Sequence, residues 1–147
     1  MTVADGASTG AGEVTAPSDP PDVEDIELTL PAIGTHLPLV RALAADLAAR
    51  LDFDLDQVSD LRMAVDEACA ELVALAAVPS RLTCVFRVQG GALWITASAV
   101  TRAGERPARD TFGWRVLTAL VDDVQTWSDT DRTVYLQLCK RHSGADA

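Results

Sequence analysis

The chain has 147 residues, 48% of them apolar, a length that favours one domain and a composition able to bury a core. Twenty-two acidic residues against 12 basic ones give a formal net charge of −10, which argues against a nucleic-acid backbone as partner and favours a basic protein surface. The sequence holds no run of eighteen apolar residues and no basic stretch leading into an apolar one, so neither a membrane span nor a secretory signal is expected, and the expected compartment is the cytoplasm.

Residues 1–22 are rich in Gly, Ala, Ser, Thr, Pro and Asp and nearly empty of large apolar side chains. Such a stretch cannot offset its ordering entropy, so a disordered tail is expected there. The domain is expected over residues 23–141, with residues 142–147 as a flexible tail. From Val23 to Leu30 the side chains alternate, with Ile26, Leu28 and Leu30 on one side. This predicts a half-buried strand, and Pro31 makes an edge position the natural one. Thr35 to Leu51 repeats leucine every four residues at Leu39, Leu43, Leu47 and Leu51, with Val40 and Ala44 beside them. The spacing predicts an amphipathic helix, with Pro38 tolerated in its first turn.

The stretch from Leu51 to Pro79 predicts a second, longer helix. Asp54 is placed to cap it, with Gln57 at capping-box spacing, and Pro79 closes the run. Leu61, Ala64, Val65, Ala68, Leu72 and Leu75 form one apolar stripe. At about 100° per residue, Asp60, Glu67 and Glu71 fall within roughly 40° of one another on the shoulder of that stripe. Glu67 and Glu71 are four residues apart, a spacing at which like charges destabilise a helix by about 0.2–0.5 kcal/mol. A carboxylate pair at a core boundary points to a site that uses or tolerates it, or to ion pairing with an arginine from a neighbouring element.

Arg81–Gln89 and Ala92–Val100 read as strands of a hairpin, because Gly90-Gly91 between them can take positive φ at both turn positions. The polar loop from Thr101 to Asp110 carries Arg102, Arg106 and Arg109, which either reach an anion or lie in solvent. Thr111 to Leu120 predicts a short third helix with a broad buried face of Phe112, Trp114, Val116, Leu117 and Leu120. Val124–Trp127 and Thr133–Leu138 predict a closing strand pair. Cys69, Cys84 and Cys139 show no metal-ligand spacing and are expected as buried, reduced thiols; a redox role is the alternative, with no neighbouring group in sequence to activate a thiolate. Strand, helix, helix, strand, strand, helix, strand, strand is an α+β order, and it suggests a mixed sheet with helices on one face.

Two segments carry a resemblance to a known family. LRMAVDEACAELV, from Leu61 to Val73, and FGWRVLTALVDDVQTWSD with TVYLQLCK, from Phe112 to Lys140, resemble the RsbW-type anti-sigma factors and serine kinases of the GHKL superfamily, in particular the actinobacterial anti-sigma-F branch. The resemblance covers roughly Glu24 to Arg141. It implies a Bergerat-type two-layer sandwich, a mixed sheet covered on one face by three helices. It also implies Glu67 as the catalytic carboxylate and Glu71 at the position where the family's asparagine holds Mg²⁺. Gly104 and Gly113 would be the remnants of the phosphate-cradling glycine boxes.

The chain departs from that pattern at several points. Glu71 replaces the asparagine, and no aspartate precedes Glu105 where the family binds the adenine amino group. ATP and Mg²⁺ binding is therefore expected to be weak or absent, with Glu71 the one remaining metal ligand. The implied function is an anti-sigma factor that sequesters an alternative sigma factor, is countered by an anti-anti-sigma protein of STAS type, and forms a homodimer through the first strand and helix. The alternative is an active ATP-dependent serine/threonine kinase acting on that anti-anti-sigma partner. A third reading has the pocket reused for an anion bound by Arg102, Arg106 or Arg109.

Overall fold

The structure, a computed structural model, describes residues 24–143. The expected tail over residues 1–22 and the last four residues lie outside that range. The elements run β1 (Ile26–Pro31), α1 (Leu37–Arg50), α2 (Leu55–Leu75), β2 (Arg81–Gln89), β3 (Ala92–Val100), α3 (Phe112–Leu120), β4 (Asp123–Ser128) and β5 (Thr133–Arg141), with a short 3-10 turn at Gly34–His36 before α1.

The five strands form one sheet in the order β1-β2-β3-β5-β4, and every hydrogen-bonded pair is antiparallel. The sheet is therefore antiparallel throughout, where a mixed one was expected. The connections explain this. α1 and α2 are joined by four residues and return the chain to the end of β1, where Pro31 sits opposite Arg81 and Ala32 N–H donates to the Ser80 carbonyl at 3.0 Å. β4 does run in the direction of β3, as a crossover through one helix dictates, but β5 is inserted between the two. No parallel pair is ever hydrogen-bonded.

α2 forms as its sequence requires. Asp54 accepts a hydrogen bond from Gln57 N–H at 2.8 Å, and the Gln57 side chain accepts one from Asp54 N–H at 3.2 Å, so both halves of the capping box are made. Its buried face is Leu61, Ala64, Val65, Ala68, Cys69 and Leu72. Against it lies one face of the sheet, with Leu82, Cys84, Phe86, Leu93, Ile95, Ala97, Leu136 and Leu138 all buried. Each fully buried leucine or isoleucine in that layer contributes about 1.5–3 kcal/mol. The Gly90-Gly91 hairpin turn has φ of 63° and 73° at its two glycines, the left-handed region the turn needs. Among the described residues β1 pairs only with β2 and lies at one edge of the sheet, with β4 at the other. The fold continues one residue beyond the expected boundary, since His142 meets Phe53 edge-on at 5.6 Å and its N–H donates to the Gly91 carbonyl.

The C-terminus of α2 is closed by an arginine. Arg102 donates its backbone N–H to Leu75 O at 3.1 Å and its guanidinium to Ala76 O and Ala74 O, each at 3.2 Å. The cation on two of these carbonyls and the backbone N–H on the third satisfy orphan acceptors, and the charge opposes the helix dipole. Arg102→Ala is expected to lower stability by about 1–2 kcal/mol, measured by urea unfolding, with Arg102→Lys recovering part of the loss.

Candidate functional site

α3 places the site. Thr111 caps it, its hydroxyl oxygen accepting from Trp114 N–H at 3.1 Å. Trp114 and Leu117 are its buried anchors, with Val121 following on the same side. Phe112 was expected in that buried face but is 79% exposed. Five residues separate it from Leu117, which is about 140° around the helix, so the turn that buries Leu117 sends Phe112 to solvent.

Between Phe112 and Trp114 sits Gly113, where α3 faces the Glu67 and Glu71 side chains of α2. A Cβ there would overlap the carboxylate oxygens of both Glu67 and Glu71 and would lie 3.2 Å from Glu67 Cδ. The structure thus brings together three of the four expected site residues, Glu67, Glu71 and Gly113, in one seam between α2 and the N-terminus of α3. Gly104, the fourth, is not among them. It has φ +73°, and its Cβ position would meet Arg132 Cγ at 3.3 Å. Asp60 shares the helix shoulder but points to another partner, Lys140 Nζ at 3.6 Å.

The electrostatics of the seam are those of two acids held together. Burial, followed by a hydrogen bond and charge repulsion from Glu67, pushes the Glu71 carboxyl up to about 7. Its Oε2 is buried and, as an ionised carboxylate, has no donor. As a protonated acid it donates to Glu67, which gives the orphan oxygen its partner. Near neutral pH Glu71 therefore holds its proton for part of the time. Among the described residues no cluster of three potential metal ligands forms, so Glu71 has no third protein donor to complete a cation site with Glu67.

Of the loop arginines, Arg102 is spent on the α2 terminus. Arg109 stacks over Trp114, 5.4 Å from the ring centroid. Arg106 and Arg109 line a cleft of about 550 Å³ with Pro107 and Thr126. Sequence reasoning missed Lys140, which donates from Nζ to the Leu120 carbonyl at 2.7 Å and so holds the far end of α3 while Gly113 seats the near end. A lysine at the end of a strand carries no sign of that role, because the contact depends on how helix and sheet stack.

Gly113→Ala tests the seam. The two carboxylates are the free ends of flexible side chains and can swing aside, and alanine favours a helix over glycine by about 1 kcal/mol. Stability is expected to change by less than about 1 kcal/mol, while the Glu71 titration, followed by carbon-13 NMR of the side-chain carboxyl, falls back toward that of an ordinary glutamate.

An antiparallel five-stranded sheet with three helices is the fold of an RsbW domain. A crystal structure containing RsbU and RsbW domains from Mycobacterium tuberculosis matches it with a TM-score of 0.63 at 18% identity, over 80% of this chain and 32% of that one. In sequence the chain is similar to RsbW anti-sigma factors and serine kinases, and it spans a little under two thirds of the length of the anti-sigma-F relatives it matches. It is 38% identical over 107 residues to the anti-sigma-F factor RsbW of Mycobacterium tuberculosis H37Rv, a match covering 73% of this chain and 64% of that protein's length. It is 25% identical over 133 residues to the serine-protein kinase RsbW of Bacillus cereus B4264, covering 77% of this chain and 83% of the relative. No family model matches the chain.

Proposed function

We propose that this protein is a cytoplasmic anti-sigma factor that holds a sigma factor by surface contact, is countered by an anti-anti-sigma protein of STAS type, and handles nucleotide weakly or not at all. The observation that carries this is the pairing of a 38% likeness to an anti-sigma-F factor with two carboxyls seated against Gly113. A magnesium triphosphate at a helix N-terminus needs free N–H groups and compensating cations. At α3 the carboxylates of Glu67 and Glu71 lie against Gly113 in the first turn, and their charge opposes that of a polyphosphate, so the residues present fit the group poorly. A negative charge within a few ångströms of a polyphosphate costs about 1–4 kcal/mol, roughly five- to a thousandfold in affinity.

Partner contact falls on the exposed faces of α2 and α3. Met63 on α2 is 54% exposed and Phe112 on α3 is more so, two large apolar groups on elements whose other faces are buried. Beside Met63 a shallow groove of about 190 Å³ is lined by Arg41, Ser59, Arg62 and Asp66. The outer edge of β1, unpaired among the described residues, together with α1, is the surface for a second copy.

The test is reconstitution with the sigma factors of the host, read by size-exclusion chromatography and transcription in vitro. Capture of one of them, lost when Met63 and Phe112 are both changed to Asp, is the expected result. Failure to bind any would remove the reading. The kinase reading rests on the retained Glu67 and on relatives named as serine-protein kinases. Calorimetric binding of ATP·Mg²⁺ below millimolar, with phosphate transfer abolished by Glu67→Ala, would put that reading first.

A further inference from the structure

We propose that Cys69 and Cys84 form a redox-active dithiol, which a peroxide converts to an intrachain disulfide tying α2 to β2. Their sulfurs lie 3.9 Å apart across the helix–sheet interface. Both thiols are free, and both are buried, at 1% and 0% exposure. As core groups alone they are interchangeable with other small apolar side chains, since a buried thiol packs as a small hydrophobe. What their pairing adds is chemistry. Each sulfur has beside it the one group able to resolve an oxidised partner before further oxidation. A disulfide has a sulfur–sulfur bond of about 2.05 Å, so closure needs less than about 2 Å of approach. Side-chain rotation and a small shift of one helical turn supply that.

The third cysteine is excluded by the sheet. Leu138 pairs with Ile95 on the face under the helices, so Cys139, next along β5 and opposite Trp94, points to the other face. Cys84 pairs with Ala97 on the helix side. Cys139 is thus an internal control within the same molecule.

The step balances as two thiols and one hydrogen peroxide giving one disulfide and two waters. One sulfur, as thiolate, attacks a peroxide oxygen. A sulfur–oxygen bond forms, the oxygen–oxygen bond breaks, and the departing hydroxide takes a proton to become water. The second sulfur then attacks the sulfenic sulfur, forming the disulfide and releasing the second water. The two sulfurs give up two electrons and the peroxide oxygens accept them. Because both sulfurs are buried, the reaction waits on local opening of α2 from the sheet and is slow compared with that of an exposed thiol. The bond then fixes to the sheet the same turn of α2 that carries Glu67 and Glu71.

The experiment treats the folded full-length chain with hydrogen peroxide, alkylates remaining thiols after denaturation, and maps tryptic peptides without reductant. Expected is a cross-linked peptide joining Met63–Arg81 to Leu82–Arg87, lighter by two hydrogens than the sum of its parts, released by dithiothreitol, with Cys139 still alkylated. Cys139→Ser should form the same link at the same rate, and Cys84→Ala should form none. Free, alkylatable Cys69 and Cys84 after peroxide treatment would overturn the proposal. So would sulfinic acid without any cross-link, or a disulfide running through Cys139 of two chains.

Discussion

Trp114→Ala is expected to lower the unfolding free energy by about 3–5 kcal/mol, the range for removing a buried aromatic ring and leaving its cavity. α3 has nine residues, too few to be stable as an isolated helix in water. It is held by what it buries, and among the described residues Trp114 is the largest side chain it places against the core, at 8% exposure. The ring also carries Arg109 on its face, so its loss frees the arginine loop as well as the helix. Urea unfolding should show the full loss for Trp114→Ala and a much smaller one for Trp114→Phe. Phe112→Ala is the internal comparison. That ring sits two residues away on the same helix but is mostly in solvent, so its removal should move stability by no more than about 0.5 kcal/mol. Equal losses for the two substitutions would mean that α3 is oriented differently from the arrangement described.

The contrast between those aromatics marks where the sequence stops being legible. α2 could be read closely, because Asp54 and Gln57 interact within one turn and the stripe from Leu61 to Leu72 has a single period. The hairpin at Gly90-Gly91 was legible for the same reason, since its geometry is set by the two turn residues. α3 is too short for periodicity to tell its core side from its solvent side when nearly every residue is apolar, and Phe112 was assigned to the wrong one. The absence of parallel pairing followed from β5 entering between β3 and β4, a choice made over the whole chain. Within the site, the nearness of Glu67 and Glu71 was visible as a four-residue spacing. That Gly113 closes over them, that Asp60 turns instead to Lys140, and that Arg102 goes to the end of α2 are products of packing between elements far apart in sequence. The same holds for Cys69 and Cys84, whose separation of fifteen positions gives no hint that their sulfurs meet.

Glu71→Gln is expected to flatten part of the pH dependence of stability and to make the protein more stable than its parent at alkaline pH. The sign follows from the carboxyl's rise from 4.5 to about 7 in the folded chain, caused first by burial and then by Glu67. A group that binds its proton more tightly when folded supports the fold fully below its unfolded value of 4.5. That support is lost as pH climbs from 4.5 through 7, and above 7 the charge is a net penalty. With allowance for solvent screening of a part-exposed side chain, the penalty is about 1–2 kcal/mol. Glutamine keeps a donor for Glu67 and carries no charge at any pH, so the substitution removes the penalty without leaving Glu67 unpartnered. Urea unfolding at pH 8.5 should therefore show the variant about 1–2 kcal/mol more stable than the parent. Near pH 4.5 the two should agree within about 0.5 kcal/mol. The difference between the two proteins, and not either profile alone, is the reading, because the many other acids of a chain with net charge −10 titrate in both. Parallel profiles would show that Glu71 titrates as an ordinary surface acid and that α3 does not rest on the carboxyl pair.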